Sequence, residues 1–96
     1  MVKLQSASID RLFEAILGLE TPDDCYKFFE DICTIKELQD MAQRLDVAFL
    51  LTEGINYQRI SQEVNVSTAT ISRVSKCLNY GSGGYMAAIE KIKEKK

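Results

Sequence analysis

Between Ser67 and Lys76 the chain reads STATISRVSK. Four hydroxyl side chains (Ser67, Thr68, Thr70 and Ser72) surround a small Ala69 and precede two cations, Arg73 and Lys76. Hydroxyl and guanidinium groups are the donors and acceptors that suit phosphate oxygens and the edges of bases. Ser and Thr are mediocre helix formers, and an exposed helix shaped for stability alone would more often carry Ala, Glu and Lys. Catalytic chemistry is not offered in its place. The chain has no His and no paired nucleophile and base, so no catalytic residues are expected. Cys25, Cys33 and Cys77 are widely spaced with no CxxC pair, which leaves no metal site. Gly81-Ser82-Gly83-Gly84 follows no strand and reads as a connector rather than a phosphate cradle. The acidic pairs Asp23/Asp24 and Glu30/Asp31 read as helix-end and solvated-face charges.

A face of this kind needs a rigid mount, and the segment from Tyr57 to Lys76 matches the helix-turn-helix pattern. With Tyr57 as position one, Ile60 and Val64 form the inner face of the first helix. Val66 plugs the turn, and Ile71 and Val74 form the inner face of the second helix. Ser61 is small where the helices approach, and Asn65 suits a left-handed backbone. Ser67 then caps the second helix, leaving Thr68, Ala69, Thr70, Ser72, Arg73 and Lys76 toward solvent. A recognition helix brings its N-terminal residues to base edges in the major groove. Thr68 and Ala69 are short enough for that approach, and Arg73 suits guanine or phosphate. Thr70, Ser72 and Lys76, with Gln58 and Arg59 on the preceding helix, are the expected phosphate contacts.

The remainder reads as helices in a single domain spanning residues 1–96. Ile9, Leu12, Phe13, Ile16 and Leu17 recur at helical spacing before Gly18. Thr21-Pro22-Asp23-Asp24 opens a second helix, with Phe28, Phe29, Ile32 and Cys33 as its stripe. Thr34 and Glu37 suggest a capping box for a third, whose wide apolar face runs from Leu38 to Leu51 and stops at Gly54. Two neighbouring elements or a second subunit would bury that face. The organisation expected is a helical dimerisation body over 1–53 and a helix-turn-helix head over 57–78. A glycine-rich turn over 79–84 and a C-terminal helix over 85–96 complete it. No strand pattern is present.

The 96 residues are 46% hydrophobic and 27% charged, which suits a folded globular chain. A chain this short buries a limited core, and with no closed disulfide set or metal a dimer is the expected support. The cysteines read as buried free thiols. No run approaches a membrane span, and the expected location is cytoplasmic. The net charge of −2 counts against a nucleic-acid partner until it is divided. Residues 1–53 carry 5 basic and 11 acidic side chains, whereas 54–96 carry 7 basic and 3 acidic. The basic end coincides with the helix-turn-helix.

STATISRVSKCL is similar to the recognition-helix region of the tryptophan repressor superfamily. The wider frame, DDCYKFFEDICT, IKELQDMAQRLDVAFLLTEGINYQRI and LNYGSGGY, resembles its YerC/YecD-like branch. The resemblance implies an all-α fold: a small helical domain with a helix-turn-helix, assembled as an intertwined Trp-repressor-like homodimer. Two heads on a two-fold axis imply a palindromic operator in double-stranded DNA, with half-sites about 34 Å apart. It also implies a corepressor pocket at Arg44, Arg73 and Cys77. Val74 stands where that family's pocket has glycine, and its branched side chain argues against tryptophan as the ligand. A different small molecule, or none, stays open. The expected function is a homodimeric, sequence-specific transcriptional regulator, a repressor in sign, needing no cofactor. The alternative is a helical dimeric adaptor that acts through protein contacts.

Overall fold

Helix stops and starts in this chain are set by a few side chains and glycines. The computed structural model describes residues 5–95, all of whose regular elements are helices. They are α1 (Ala7–Leu17), α2 (Pro22–Ile32), α3 (Ile35–Thr52), α4 (Tyr57–Val64), α5 (Thr68–Tyr80) and α6 (Gly84–Glu94). Residues 1–4 of the expected body and Lys96 of the expected last helix lie outside the described residues. No helix among the described residues is long and apolar enough to cross a membrane. The chain divides into two compact units, Met1–Lys36 and Glu37–Lys96. That division falls in the first turn of α3 rather than at Gly54, where the sequence changes charge.

In the first unit, the Ser6 hydroxyl accepts the Ile9 N–H at 3.1 Å and starts α1. The Gly18 N–H closes that helix on the carbonyls of Glu14 and Ala15. Thr21 caps α2 reciprocally. Its hydroxyl accepts the Asp24 N–H at 3.1 Å, and the Asp24 carboxylate accepts the Thr21 N–H at 3.3 Å. Pro22 occupies the first helical position, where a missing N–H costs nothing. Phe28 and Phe29 meet edge to face at 5.4 Å. Neither α1 nor α2 contains a buried residue. Phe13, Leu17, Tyr26 and Ile32 are each more than half exposed. An open, mostly apolar groove of about 400 Å³ runs between the helices, walled by Ile9, Leu12, Ala15, Phe28 and Ile32.

The second unit holds the core. Val47 and Ala48 from α3, Ile60 from α4, Ile71 and Val74 from α5, and Ile89 from α6 are all fully or almost fully buried. Leu45, Phe49, Leu50, Leu51, Ile55, Val64, Val66, Leu78 and Tyr85 pack around them. At about 1.5–3 kcal/mol for each large aliphatic side chain buried, this cluster is the main source of stability. The wide apolar face of α3 is therefore used unevenly. Its C-terminal half is core, while Ile35 and Met41 nearer its start stay exposed. The helix ends in a Schellman motif. Gly54, at φ +79°, donates to the Leu51 carbonyl, and Ile55 donates to that of Leu50, both at 3.1 Å.

Two expectations need correction. The cysteines are free, but Cys25 and Cys77 are exposed and Cys33 is half-buried, so they are not core thiols. Cys77 lies one turn after Val74 on α5 but is exposed. In addition, α5 runs to Tyr80 instead of stopping near Leu78, and α6 starts at Gly84. Nothing in Asn79-Tyr80 opposes a helix. Gly81 ends it by turning extended (φ −86°, ψ −161°) while its N–H bonds the Cys77 carbonyl at 2.8 Å.

Candidate nucleic-acid interface

The helix-turn-helix is held by a short series of hydrogen bonds. Asn56 caps α4 through its side-chain oxygen, which accepts the Arg59 N–H at 2.9 Å. At the other end Asn65 takes the left-handed conformation (φ 59°, ψ 51°), and its N–H bonds the Ser61 carbonyl. The Ser61 hydroxyl donates to the Val66 carbonyl at 2.7 Å, bridging the last turn of α4 and the linker. Ser67 then opens α5, accepting the Thr70 N–H at 3.2 Å. Ile60, Ile71 and Val74 lock the two helices from the inside. The backbone of α5 is thus fixed at its N-terminus, where a reading surface needs precision.

On that mount Thr68, Ala69, Ser72, Arg73 and Lys76 are exposed. Among the described residues neither Arg73 nor Lys76 has an ion-pair partner. Two cations are therefore free to meet an anion without first breaking a bond. Thr70 is half-buried, and its hydroxyl lies 3.1 Å from that of Ser67, so these two residues already serve the cap. Gln58 is exposed at the start of α4. Arg59 is exposed but paired: its Nε donates to Oε1 of Glu63 at 3.0 Å. Glu63 lies outside the helix-turn-helix pattern, although Arg and Glu four apart on one helix are a visible signal for the pair. The Ser61–Val66 bond carries no sequence signal either, because the helix-turn-helix pattern asks only that position 61 be small.

Cys77 borders an open, mostly apolar groove of about 450 Å³ together with Gly81, Ser82, Gly83, Gly84, Tyr85 and Ala88. Neither Arg44 nor Arg73 is among its walls. Arg44 lies exposed on α3. Val74 is 1% exposed and belongs to the core.

Comparison with known proteins agrees with this geometry. The uncharacterized protein YerC of Bacillus subtilis (strain 168) is 51% identical over 92 residues, covering 96% of this chain and 88% of that one. The crystal structure of a TrpR like protein from Eubacterium eligens ATCC 27750 superposes with a TM-score of 0.91 at 44% identity, over 94% of this chain and 93% of the other. A solved structure from Staphylococcus aureus gives a TM-score of 0.90, also at 44% identity, over 94% and 90% of the two chains. The family model described as Trp repressor protein matches residues 7–93, and the chain belongs to that family of transcription regulators.

Proposed function

We propose that this chain is a sequence-specific DNA-binding transcriptional regulator, a repressor in sign, acting as a homodimer on a palindromic operator. The observation that carries the reading is the exposed face of α5, where hydroxyls and two cations without an ion-pair partner among the described residues stand on a helix fixed by a capped, hydrogen-bonded turn. In this reading Thr68 and Ala69 meet base edges and Arg73 reads guanine. Ser72 and Lys76 hold phosphates, joined by Gln58 and Arg59 from α4. Ser67 and Thr70 contribute mainly by fixing the start of α5.

The first unit supports the dimer in this reading. Two amphipathic helices that bury no residue leave Phe13, Leu17, Tyr26 and Ile32 in water, and a second copy is the economical cover for such a surface. Two heads related by a two-fold axis suit half-sites about 34 Å apart. The filled Val74 position favours DNA binding that does not depend on tryptophan. In this reading the site of action is the cytoplasm, with the DNA that the chain binds.

Selection of duplexes from a random pool by the purified protein tests the reading. Enrichment of an inverted repeat with one helical turn between half-site centres is the expected result. The same uncovered aromatic surface in an acidic unit favours the second reading, an adaptor for protein partners. A pool that yields no enriched repeat would select that alternative.

A further inference from the structure

Glu63 is the sole carboxylate between Gly54 and Ile89, a stretch that otherwise carries only Arg59, Arg73 and Lys76 as charged side chains. Helix stability does not account for it. Glu63 sits in the last turn of α4 and Arg59 in the first, so each charge opposes the helix dipole at its own end. An Arg placed four residues before a Glu is also the weaker order for such a pair. Both side chains are largely solvated, at 63% and 43% exposure, so the pair adds little to the fold. What the carboxylate does do is geometric. It accepts from Nε and so occupies the side edge of the guanidinium, leaving the Nη edge as the one available to another anion.

We propose that Glu63 is a specificity-determining residue: it cancels the charge of Arg59 toward loosely placed phosphates and leaves the Nη edge for one phosphate fixed in register by α5. This rests on the DNA-binding reading above. In a non-specific encounter the phosphates approach from many directions, and the carboxylate repels them as the guanidinium attracts them. Arg59 then contributes almost nothing to counterion release. In the register set by the base contacts, one phosphate faces the Nη edge while Glu63 stays on the Nε side. The cation then counts in full, so a charge that looks wasteful widens the gap between the right site and all others.

The test measures affinity for the selected operator and for a scrambled duplex across a salt series, using wild type, Glu63→Gln, Arg59→Ala and the double variant. Circular dichroism confirms equal helicity. Glu63→Gln is expected to steepen the salt slope on scrambled DNA by about 0.9, one added phosphate contact. The ratio of operator to scrambled affinity falls several-fold, and that fall is absent in the Arg59→Ala background. Equal tightening on both duplexes would overturn the proposal, since it would mean simple repulsion. So would a fall in the ratio that persists without Arg59. Wild-type protein that selects no duplex would instead overturn the DNA-binding reading itself, and the two failures are distinct.

Discussion

The Ser61 hydroxyl donates a 2.7 Å hydrogen bond to the Val66 carbonyl, five residues on. A side chain of α4 thereby holds the far end of the turn that delivers α5. The bond is partly buried, so its loss leaves a carbonyl short of water as well as of its partner. Ser61→Ala is expected to cost about 1 kcal/mol. In a domain of this size that lowers the melting temperature by roughly 4–8 °C, at fixed protein concentration. An unchanged melting curve would show that size alone matters at this position.

Asn65 is the described non-glycine residue with positive φ, at φ 59° and ψ 51°. L-residues with a branched β-carbon pay most for this region, whereas Asn tolerates it and Gly pays nothing. Asn65→Gly should therefore shift stability by only a few tenths of a kcal/mol, and Asn65→Val should lose about 1–2 kcal/mol. Urea unfolding of the two variants separates them. Equal stability would mean that the turn can relax out of the left-handed region.

Arg73 and Val74 are adjacent in sequence and opposite in environment, one exposed and one 1% exposed. Arg73→Ala should leave the melting curve alone and cost about 1–3 kcal/mol of operator affinity, with discrimination relaxed at one base position. Val74→Ala should lower stability by about 1–3 kcal/mol through the cavity it leaves, and affect DNA only through folding. Affinity unchanged in Arg73→Ala would remove Arg73 from the reading face.

These contrasts show which levels of the structure can be read from residue types. Many local signals are legible, although the caps at Ser6 and Asn56 and the stop at Gly81 are not among the expectations. Thr21-Pro22, Gly18, Gly54, Asn65 and Ser67 each act through a backbone preference that needs no distant partner. The inner face of the helix-turn-helix was legible as well, since Ile60, Ile71 and Val74 follow helical spacing. Pairings between side chains were not. Ser61 has no signature that distinguishes a small residue from a hydrogen-bond donor, and the Arg59–Glu63 contact depends on rotamers. Periodicity marks a face as apolar without saying what covers it. Hence α1 and α2 read as ordinary amphipathic helices, yet neither holds a buried residue. The exposure of Cys77 was hidden for the same reason, because one residue's rotation around α5 decides it.

The filled Val74 position also bears on ligands. In the pocket that the family resemblance implies at Arg73, an indole would compete with Val74, which is 1% exposed and part of the core. Titration with L-tryptophan is expected to leave operator affinity and melting temperature unchanged, because a ligand that does not bind the native state cannot stabilise it. A tryptophan-dependent rise in either quantity would show that the helix-turn-helix repacks around Val74.

Lys76 lies one turn beyond Ser72 on the exposed side of α5 and, among the described residues, has no ion-pair partner. It is far enough from the helix N-terminus to reach backbone rather than base edges, and phosphate contacts carry no sequence information. Lys76→Ala should therefore weaken operator and scrambled duplex by similar factors and make the salt slope shallower by about one. Arg73→Ala should act mainly on the operator, so the two variants leave opposite signatures in the affinity ratio. A loss confined to the operator in Lys76→Ala would move that lysine from the phosphate set to the reading set.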